Sequence, residues 1–226
     1  MYKKQKIVTL IPLRGGSKSI PYKNIKLMAG KPLCYWTLKA ASESKYIDEV
    51  WVSTEDAKIK KVVESLGLGK KVKVIDRPME FAQDTSSTES VMMHFADNVK
   101  FDILNLIQAT SPFTTSNDLD TAIEFFFEKG FDSLLTGNLS KKFYWTPDGK
   151  PLNYDYLHRP RRQEFEGVVN ENGAFYLTKR EVLEKNKNRL GGKIGIFVMP
   201  MEKAIDIDEP DDWKDAEKFL LAQIKK

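Results

Sequence analysis

Arg14, Lys18 and Lys23 share a loop with Gly15, Gly16 and Ser17, and no acidic residue occurs before Glu43. That combination suits an anion. Paired glycines let backbone N–H groups approach a ligand closely, and three cations supply the charge a polyphosphate needs when it leaves water. The apolar run Ile7 to Leu13 leads directly into the loop, so the segment predicts a strand ending in a nucleotide triphosphate site. Two better-known phosphate loops do not fit. A P-loop requires glycine immediately before its lysine, and Ser17 precedes Lys18. The dinucleotide fingerprint requires three spaced glycines opening a helix, whereas Gly15 and Gly16 are adjacent with no third following. For the loop taken alone, a solvated basic turn remains the plain alternative.

Asp206-Ile207-Asp208 is the clearest metal candidate. In an extended segment alternate side chains share a face, so both carboxylates project together while Ile207 points to the core. Mg²⁺ takes one or two carboxylates plus substrate phosphates and waters, which this pair would provide. The competing reading has Asp208 capping the final helix and Asp206 solvated. Gln108-Ala109-Thr110-Ser111-Pro112 offers neutral hydrogen-bonding groups suited to sugar hydroxyls and amides, or else a capping turn for a helix from Asn117 onward. Neither His94 nor His158 stands with a nucleophilic serine or cysteine, which argues against triad hydrolysis. Cys34 is the lone cysteine, so it allows no intramolecular disulfide and no cysteine-cluster metal site, and reads as a small core hydrophobe.

The elements that must position these residues alternate along the chain. Ile7 to Leu13, Glu49 to Ser53, Val72 to Ile75, Ile103 to Ile107 and Ser133 to Thr136 read as strands separated by helix-length segments. Gly173 to Thr178 and Ile194 to Met199 continue the series. This predicts an α/β, three-layer domain with a mostly parallel sheet and helices on both faces. Ser86-Ser87-Thr88-Glu89 has the capping-box pattern ahead of Val91, Phe95 and Val99, and Pro210 opens a last helix with Trp213, Ala216 and Leu220 on one face. From Leu139 to Asn172 neither period holds. That stretch reads as an inserted arm whose Phe143, Tyr144, Trp145, Tyr154 and Tyr156 either mediate dimerisation or cover the sheet edge of their own subunit.

A chain of 226 residues, 41% hydrophobic, can bury one substantial core, so 1–226 is expected to form a single domain with its excursion. The net charge of +4 is modest and concentrated before residue 43, which favours a local anion site over a nucleic-acid surface. The run after the first lysines is too short for a membrane span and lacks a small-residue cleavage pattern. A soluble, cytoplasmic protein without membrane or nucleic-acid partners is expected.

The string from Ile11 to Ile25, followed by Gly30-Lys31-Pro32-Leu33, resembles the N-terminal signature of the acylneuraminate cytidylyltransferases, which include CMP-sialic acid synthetases and relatives acting on legionaminic and pseudaminic acids. It departs at Leu13, where alanine is usual, and at Ser19, where glycine is common. Gln108 to Pro112 resembles the family's Gln-Pro-Thr-Ser-Pro element with Ala109 in place of proline. Arg77-Pro78 through Asp84-Thr85-Ser86-Ser87, Arg161-Arg162-Gln163-Glu164, Asn172-Gly173-Ala174-Phe175-Tyr176 and Asp206-Ile207-Asp208 resemble further family elements. Asn170 stands where relatives often carry a charge, which weakens any transfer of sugar specificity.

The resemblance implies a Rossmann-like nucleotidyltransferase fold and transfer of CMP from CTP to a nonulosonic, sialic-acid-like 2-keto sugar acid, with pyrophosphate released and Mg²⁺ as cofactor. It implies that Arg14, Lys18 and Lys23 neutralise the triphosphate beside Gly15 and Ser17, and that Asn24 hydrogen-bonds nucleotide or phosphate. Arg77 and Ser86 would meet the nucleotide, while Gln108, Ser111 and Tyr176 would meet substrate. Arg162 would hold the acid's carboxylate or a partner subunit, Asp206 and Asp208 would bind metal, and a homodimer is expected. Alternatives are an enzyme for an eight-carbon 2-keto sugar acid, whose loop has a different pattern, a sugar-1-phosphate nucleotidyltransferase, for which extra cations near Gln108 are missing, and a non-catalytic nucleotide-binding module.

Overall fold

The computed structural model describes residues 1–205 and 207–224. In chain order the elements are β1 (Ile7–Pro12), β2 (Leu27–Met28), β3 (Lys31–Pro32), α1 (Leu33–Glu43), β4 (Glu49–Thr54), α2 (Ala57–Ser65) and β5 (Val72–Asp76). There follow α3 (Thr88–Asn98), β6 (Ile103–Ile107), α4 (Ser116–Lys129), β7 (Ser133–Ser140), β8 (Val168–Lys179), α5 (Arg180–Asn186), β9 (Ile194–Val198) and α6 (Pro210–Ile224).

Seven strands form one sheet in the order β5-β4-β1-β6-β8-β7-β9. Only β8 runs antiparallel to its neighbours, so the expected, mostly parallel sheet is what the chain builds. Alternation along β1 divides the core. Ile7 and Ile11 pack with α1, α2 and α4 on one face, while Val8 and Leu10 pack with α3 and α5 on the other. The result is the three-layer α/β arrangement. A third cluster joins Ile20, Met28 and Leu33 to Ile207, Trp213 and Leu220, and it seats α6 against the loop that follows β1. Cys34 is fully buried in the first cluster, and burial pushes its thiol up to about 12.

Side-chain caps open α2, α3 and α4. Asp56 accepts the N–H groups of Lys58 and Ile59 at 2.8 and 3.0 Å and so caps α2. A reciprocal Thr115/Asp118 capping box opens α4, and Gly130 closes it in the left-handed conformation at φ 62°. Thus Thr115 caps this helix, and the turn from Gln108 to Pro112 lies upstream of the cap.

Two boundaries differ from the sequence reading. The N-cap of α3 is Ser87, whose side chain accepts Ser90 N–H at 3.1 Å; Ser86 instead accepts Gln83 N–H and donates to the Glu80 carbonyl. Glu89 therefore stands too early to close a capping box, and it pairs with Arg189 Nε at 2.6 Å. The arm is also narrower than 139–172. β7 and β8 continue as an antiparallel ladder from Gly137↔Glu171 to Ser140↔Val168, leaving 141–167 as the excursion. This hairpin extension escapes a periodicity test because Leu139, Asn170 and Glu171 are exposed where the strands leave the helix layers. Within the excursion Phe143 packs on Tyr154 and Phe165, with ring centroids 4.3 and 5.0 Å apart, and Arg159 lies 4.4 Å over Phe143. The aromatics thus cluster with one another, while Trp145, Tyr156 and Leu157 stay exposed.

Candidate active site

The segments that follow β1, β5 and β6 line one polar cavity of about 340 Å³ at the carboxyl edge of the sheet. A parallel sheet gathers the loops after its strands at this edge, where bound ligands are typically found. Arg14, Ser17, Lys23, Asn24, Arg77, Ser86 and Gln108 all line it. Seven residues spread over almost a hundred positions therefore converge on one space.

The loop after β1 reaches the cavity through a backbone turn at Tyr22, whose φ is 51°. Lys58 Nζ lies 4.1 Å over the Tyr22 ring and braces this strained residue. The short 3₁₀ turn Lys23–Ile25 follows and carries Lys23 and Asn24 inward. Asn24 is buried, and its Nδ2 donates to the Arg14 carbonyl at 3.1 Å, so it holds the loop closed on itself. Lys23 Nζ donates to the Ile207 carbonyl at 2.6 Å and lies 3.2 Å from Asp208 Oδ1. Fully buried Ile207 anchors that C-terminal segment, and Lys203 tethers it again through Asp118 Oδ2 at 2.5 Å.

Asp84 faces the loop from the segment after β5. Its carboxylate lies 2.9 Å from Lys18 Nζ and 3.0 Å from Arg14 Nη1, and hydrogen bonding to Lys18 and the charges of both cations hold it below the usual carboxylate range. Arg77 is buried, and its Nη2 donates to Glu55 Oε2 at 2.8 Å. Burial lowers the Arg77 guanidinium pKa, against the attraction of Glu55. Glu55 Oε1 also accepts the Gly15 N–H at 2.7 Å.

Other residues singled out in the sequence stand elsewhere. Gly15 turns its N–H to Glu55 and lies against Asp56, so its missing side chain serves the packing of α2. Gly16 has open space around it and is the glycine free to approach a ligand. Lys18 projects to solvent beyond the cavity rim. Ser111 is buried in the turn after β6, where its N–H donates to the Gln108 carbonyl at 3.2 Å. Tyr176 is buried under α3, its hydroxyl donates to Glu171, and burial followed by that contact pushes it up to about 12. Arg162 lies on the excursion in a basic groove with Lys141, Lys142, Arg159 and Arg161, apart from the strand-end cavity. Asp206 lies outside the described residues.

Glu55 escaped the sequence reading, as did the ion pairs of Asp84. Glu55 had a detectable signal: it follows the strand Glu49–Thr54 directly, at the edge where ligands collect. A larger groove of about 550 Å³ lies between α1 and α6, but Tyr35, Trp36, Phe113 and Leu220 give it mainly apolar walls. The strand-end cavity is therefore the candidate for anion chemistry.

A family model described as cytidylyltransferase matches residues 8–225. An N-acylneuraminate cytidylyltransferase of Oncorhynchus mykiss is 40% identical over 96% of this chain and 51% of its own length. A CMP-N,N'-diacetyllegionaminic acid synthase of Legionella pneumophila is 30% identical over 95% of this chain and 96% of its own length. The chain thus spans about half the length of the Oncorhynchus relative and nearly all of the Legionella one. Among solved structures, a CMP:2-keto-3-deoxy-manno-octonic acid synthetase complexed with CTP superposes with a TM-score of 0.73 at 20% identity, covering 97% of this chain and 99% of that one. At that identity the likeness concerns the fold. With the matched family model and relatives at 40% and 30% identity, the chain belongs to the cytidylyltransferase family.

Proposed function

We propose that the chain transfers CMP from CTP to a nonulosonic 2-keto sugar acid and releases pyrophosphate. The observation that carries this reading is the convergence of Arg14, Lys23, Asn24, Arg77, Ser86 and Gln108 on one cavity, with Lys23 joined to Asp208. The relatives named for acylneuraminate and diacetyllegionaminic acid support the substrate class. Arg14 and Lys23 would bind phosphoryl oxygens, and the open backbone at Gly16 would let the loop close on them. Ser86 and Gln108, neutral residues of the same lining, suit the nucleotide and the sugar acid. Catalysis would consist mainly of orientation and charge stabilisation, as displacement at phosphorus by a sugar hydroxyl requires.

Asp208 fits a hard divalent cation: its carboxylate is exposed beside the cation loop, and the buried Ile207 preceding it fixes the backbone. Mg²⁺ takes most of its ligands from phosphate and water, so one or two carboxylates would suffice to hold it. Mg²⁺ held by Asp208 and Asp206 would neutralise charge on the triphosphate. Lys23 would orient the Asp208 carboxylate.

Exposed Trp145, Tyr156 and Leu157 on the excursion support a homodimer. Edge strand β9 separately exposes Ile194, Ile196 and Val198. Arg162 and its basic neighbours would then meet either a carboxylate substrate or the second subunit. No described helix is long and apolar enough to cross a membrane. A cytoplasmic location, where CTP is at hand, is part of this proposal.

Pyrophosphate release with CTP, Mg²⁺ and sialic, legionaminic, pseudaminic or the eight-carbon acid in turn tests reaction and substrate together. Release with a nonulosonic acid is expected. CTP binding without release across the whole panel would make the chain a nucleotide-binding module.

A further inference from the structure

One carboxylate laces three strand ends together. Glu55 follows β4 directly, and Arg77 follows β5 directly. Gly15 lies just past β1, the strand on the other side of β4 in the sheet. Glu55 Oε1 accepts the Gly15 N–H at 2.7 Å while Glu55 Oε2 accepts Arg77 Nη2 at 2.8 Å. Both charged side chains are withdrawn from water, with relative exposures of 10% for Glu55 and 4% for Arg77. Backbone bonds run in the same direction: Leu13 N–H donates to the Ser53 carbonyl and Arg77 N–H to the Thr54 carbonyl, each at 2.9 Å. Arg77 Nε is buried with no hydrogen-bond partner among the described residues. The guanidinium is thus held at Nη2 by Glu55 while Arg77 lines the cavity.

We infer that Glu55 is a positioning residue for the nucleotide half of the site, setting the Gly15 peptide and the Arg77 guanidinium in one fixed relation before CTP binds. The inference rests on the proposed cytidylyltransferase reading. Glu55 lies behind Arg77 and the loop and is absent from the cavity lining, so it acts through them. Its double acceptance fixes where the loop turns from β1, and hence where Arg14, Gly16 and Ser17 meet a phosphate. It also keeps a buried cation partnered without placing a carboxylate against the triphosphate. A buried charge left without its partner would move or draw in water, and both would displace Arg77.

Two variants and one measurement on the unaltered chain test this. Glu55→Gln keeps the shape and one acceptor but removes the charge opposite Arg77. Glu55→Asp keeps the charge but is too short to reach both partners. In steady-state pyrophosphate release, each is expected to raise the KM for CTP about tenfold or more while leaving the KM for the sugar acid within about twofold, since small misplacements of binding groups have effects of this size. Lowered thermal stability with both KM values unchanged, in either folded variant, would reduce Glu55 to a structural ion pair and overturn the inference. In the unaltered protein without CTP, the Gly15 amide should exchange with deuterium at least about a hundredfold more slowly than the Gly16 amide. Equally fast exchange would overturn the inference even if neither variant folds. Calorimetry with CTP on the unaltered protein separates the two readings. No binding there would sink the proposed function, while a protected Gly15 amide would still report the lacing.

Discussion

Lys23 Nζ stands 2.6 Å from the carbonyl of Ile207 and 3.2 Å from Asp208 Oδ1, joining the N-terminal loop to a carboxylate 185 positions later. A single ammonium group thereby ties the cation loop that lines the cavity to the Asp208 carboxylate. The bond to the Ile207 carbonyl holds Lys23 whether or not Asp208 binds anything else, so the lysine keeps its place when the carboxylate turns to a cation. Lys23→Met is expected to lower pyrophosphate release by about 100-fold or more, the usual cost of one preorganised charge at a phosphoryl group. Steady-state kinetics checks this, and a circular dichroism spectrum like that of the unaltered protein would place the loss in the site.

Asp208→Ala should abolish Mg²⁺-dependent pyrophosphate release and leave the fold intact, because the carboxylate is exposed and Ile207 does the packing. A chelator should silence the unaltered protein in the same assay. Full activity of the variant would remove Asp208 from the metal site.

The two adjacent glycines should respond differently to alanine. A Cβ at Gly15 would lie 2.4 Å from Asp56 Oδ2 and 3.1 Å from Asp56 Cβ, so Gly15→Ala must displace the N-cap of α2. A loss of about 1 to 3 kcal/mol is expected, visible as a lowered midpoint in thermal unfolding. Gly16→Ala meets nothing within 4 Å and should fold normally while weakening CTP binding.

Glu49, at the start of β4, predicts an acid limb in stability. Burial raises its carboxyl pKa, but hydrogen bonds from Trp51 Nε1, Lys73 and Lys6 outweigh this and hold it down to about 2. A carboxylate depressed in the folded state stabilises fully above its ordinary value of 4.5, and that contribution fades as pH falls toward 2. Urea unfolding at pH 7 and pH 3 should therefore differ more for the unaltered protein than for Glu49→Gln. Equal differences would dismiss Glu49 as a source of the limb.

Dimerisation through the excursion can be tested at its exposed aromatics. Trp145→Glu combined with Tyr156→Glu should shift sedimentation velocity from dimer to monomer, while CTP binding by the strand-end cavity persists. A monomeric unaltered protein at micromolar concentration would remove the homodimer.

Much of this molecule was legible in residue order because the relevant physics is local. Ile7 to Pro12, Glu49 to Thr54 and Ile103 to Ile107 announce buried strands as short apolar runs, and Trp213, Ala216 and Leu220 announce the inner face of α6 by their spacing. The cation loop was equally plain, since charge and glycine content are properties of composition. Neighbourhood was not. Nothing in a strand's pattern says which strand lies beside it, so the Glu55 link from Gly15 to Arg77 had no local trace. Likewise Asp84 meets Arg14 and Lys18 only because β5 ends two strands away from β1 in the same parallel sheet. The choice of Ser87 over Ser86 as helix cap turned on where the preceding turn ended, one residue beyond the resolution of a pattern. The types of chemistry were thus written along the chain, whereas their assembly into one anion site came from folding, because sheet order and backbone trace bring distant strand ends within hydrogen-bonding reach.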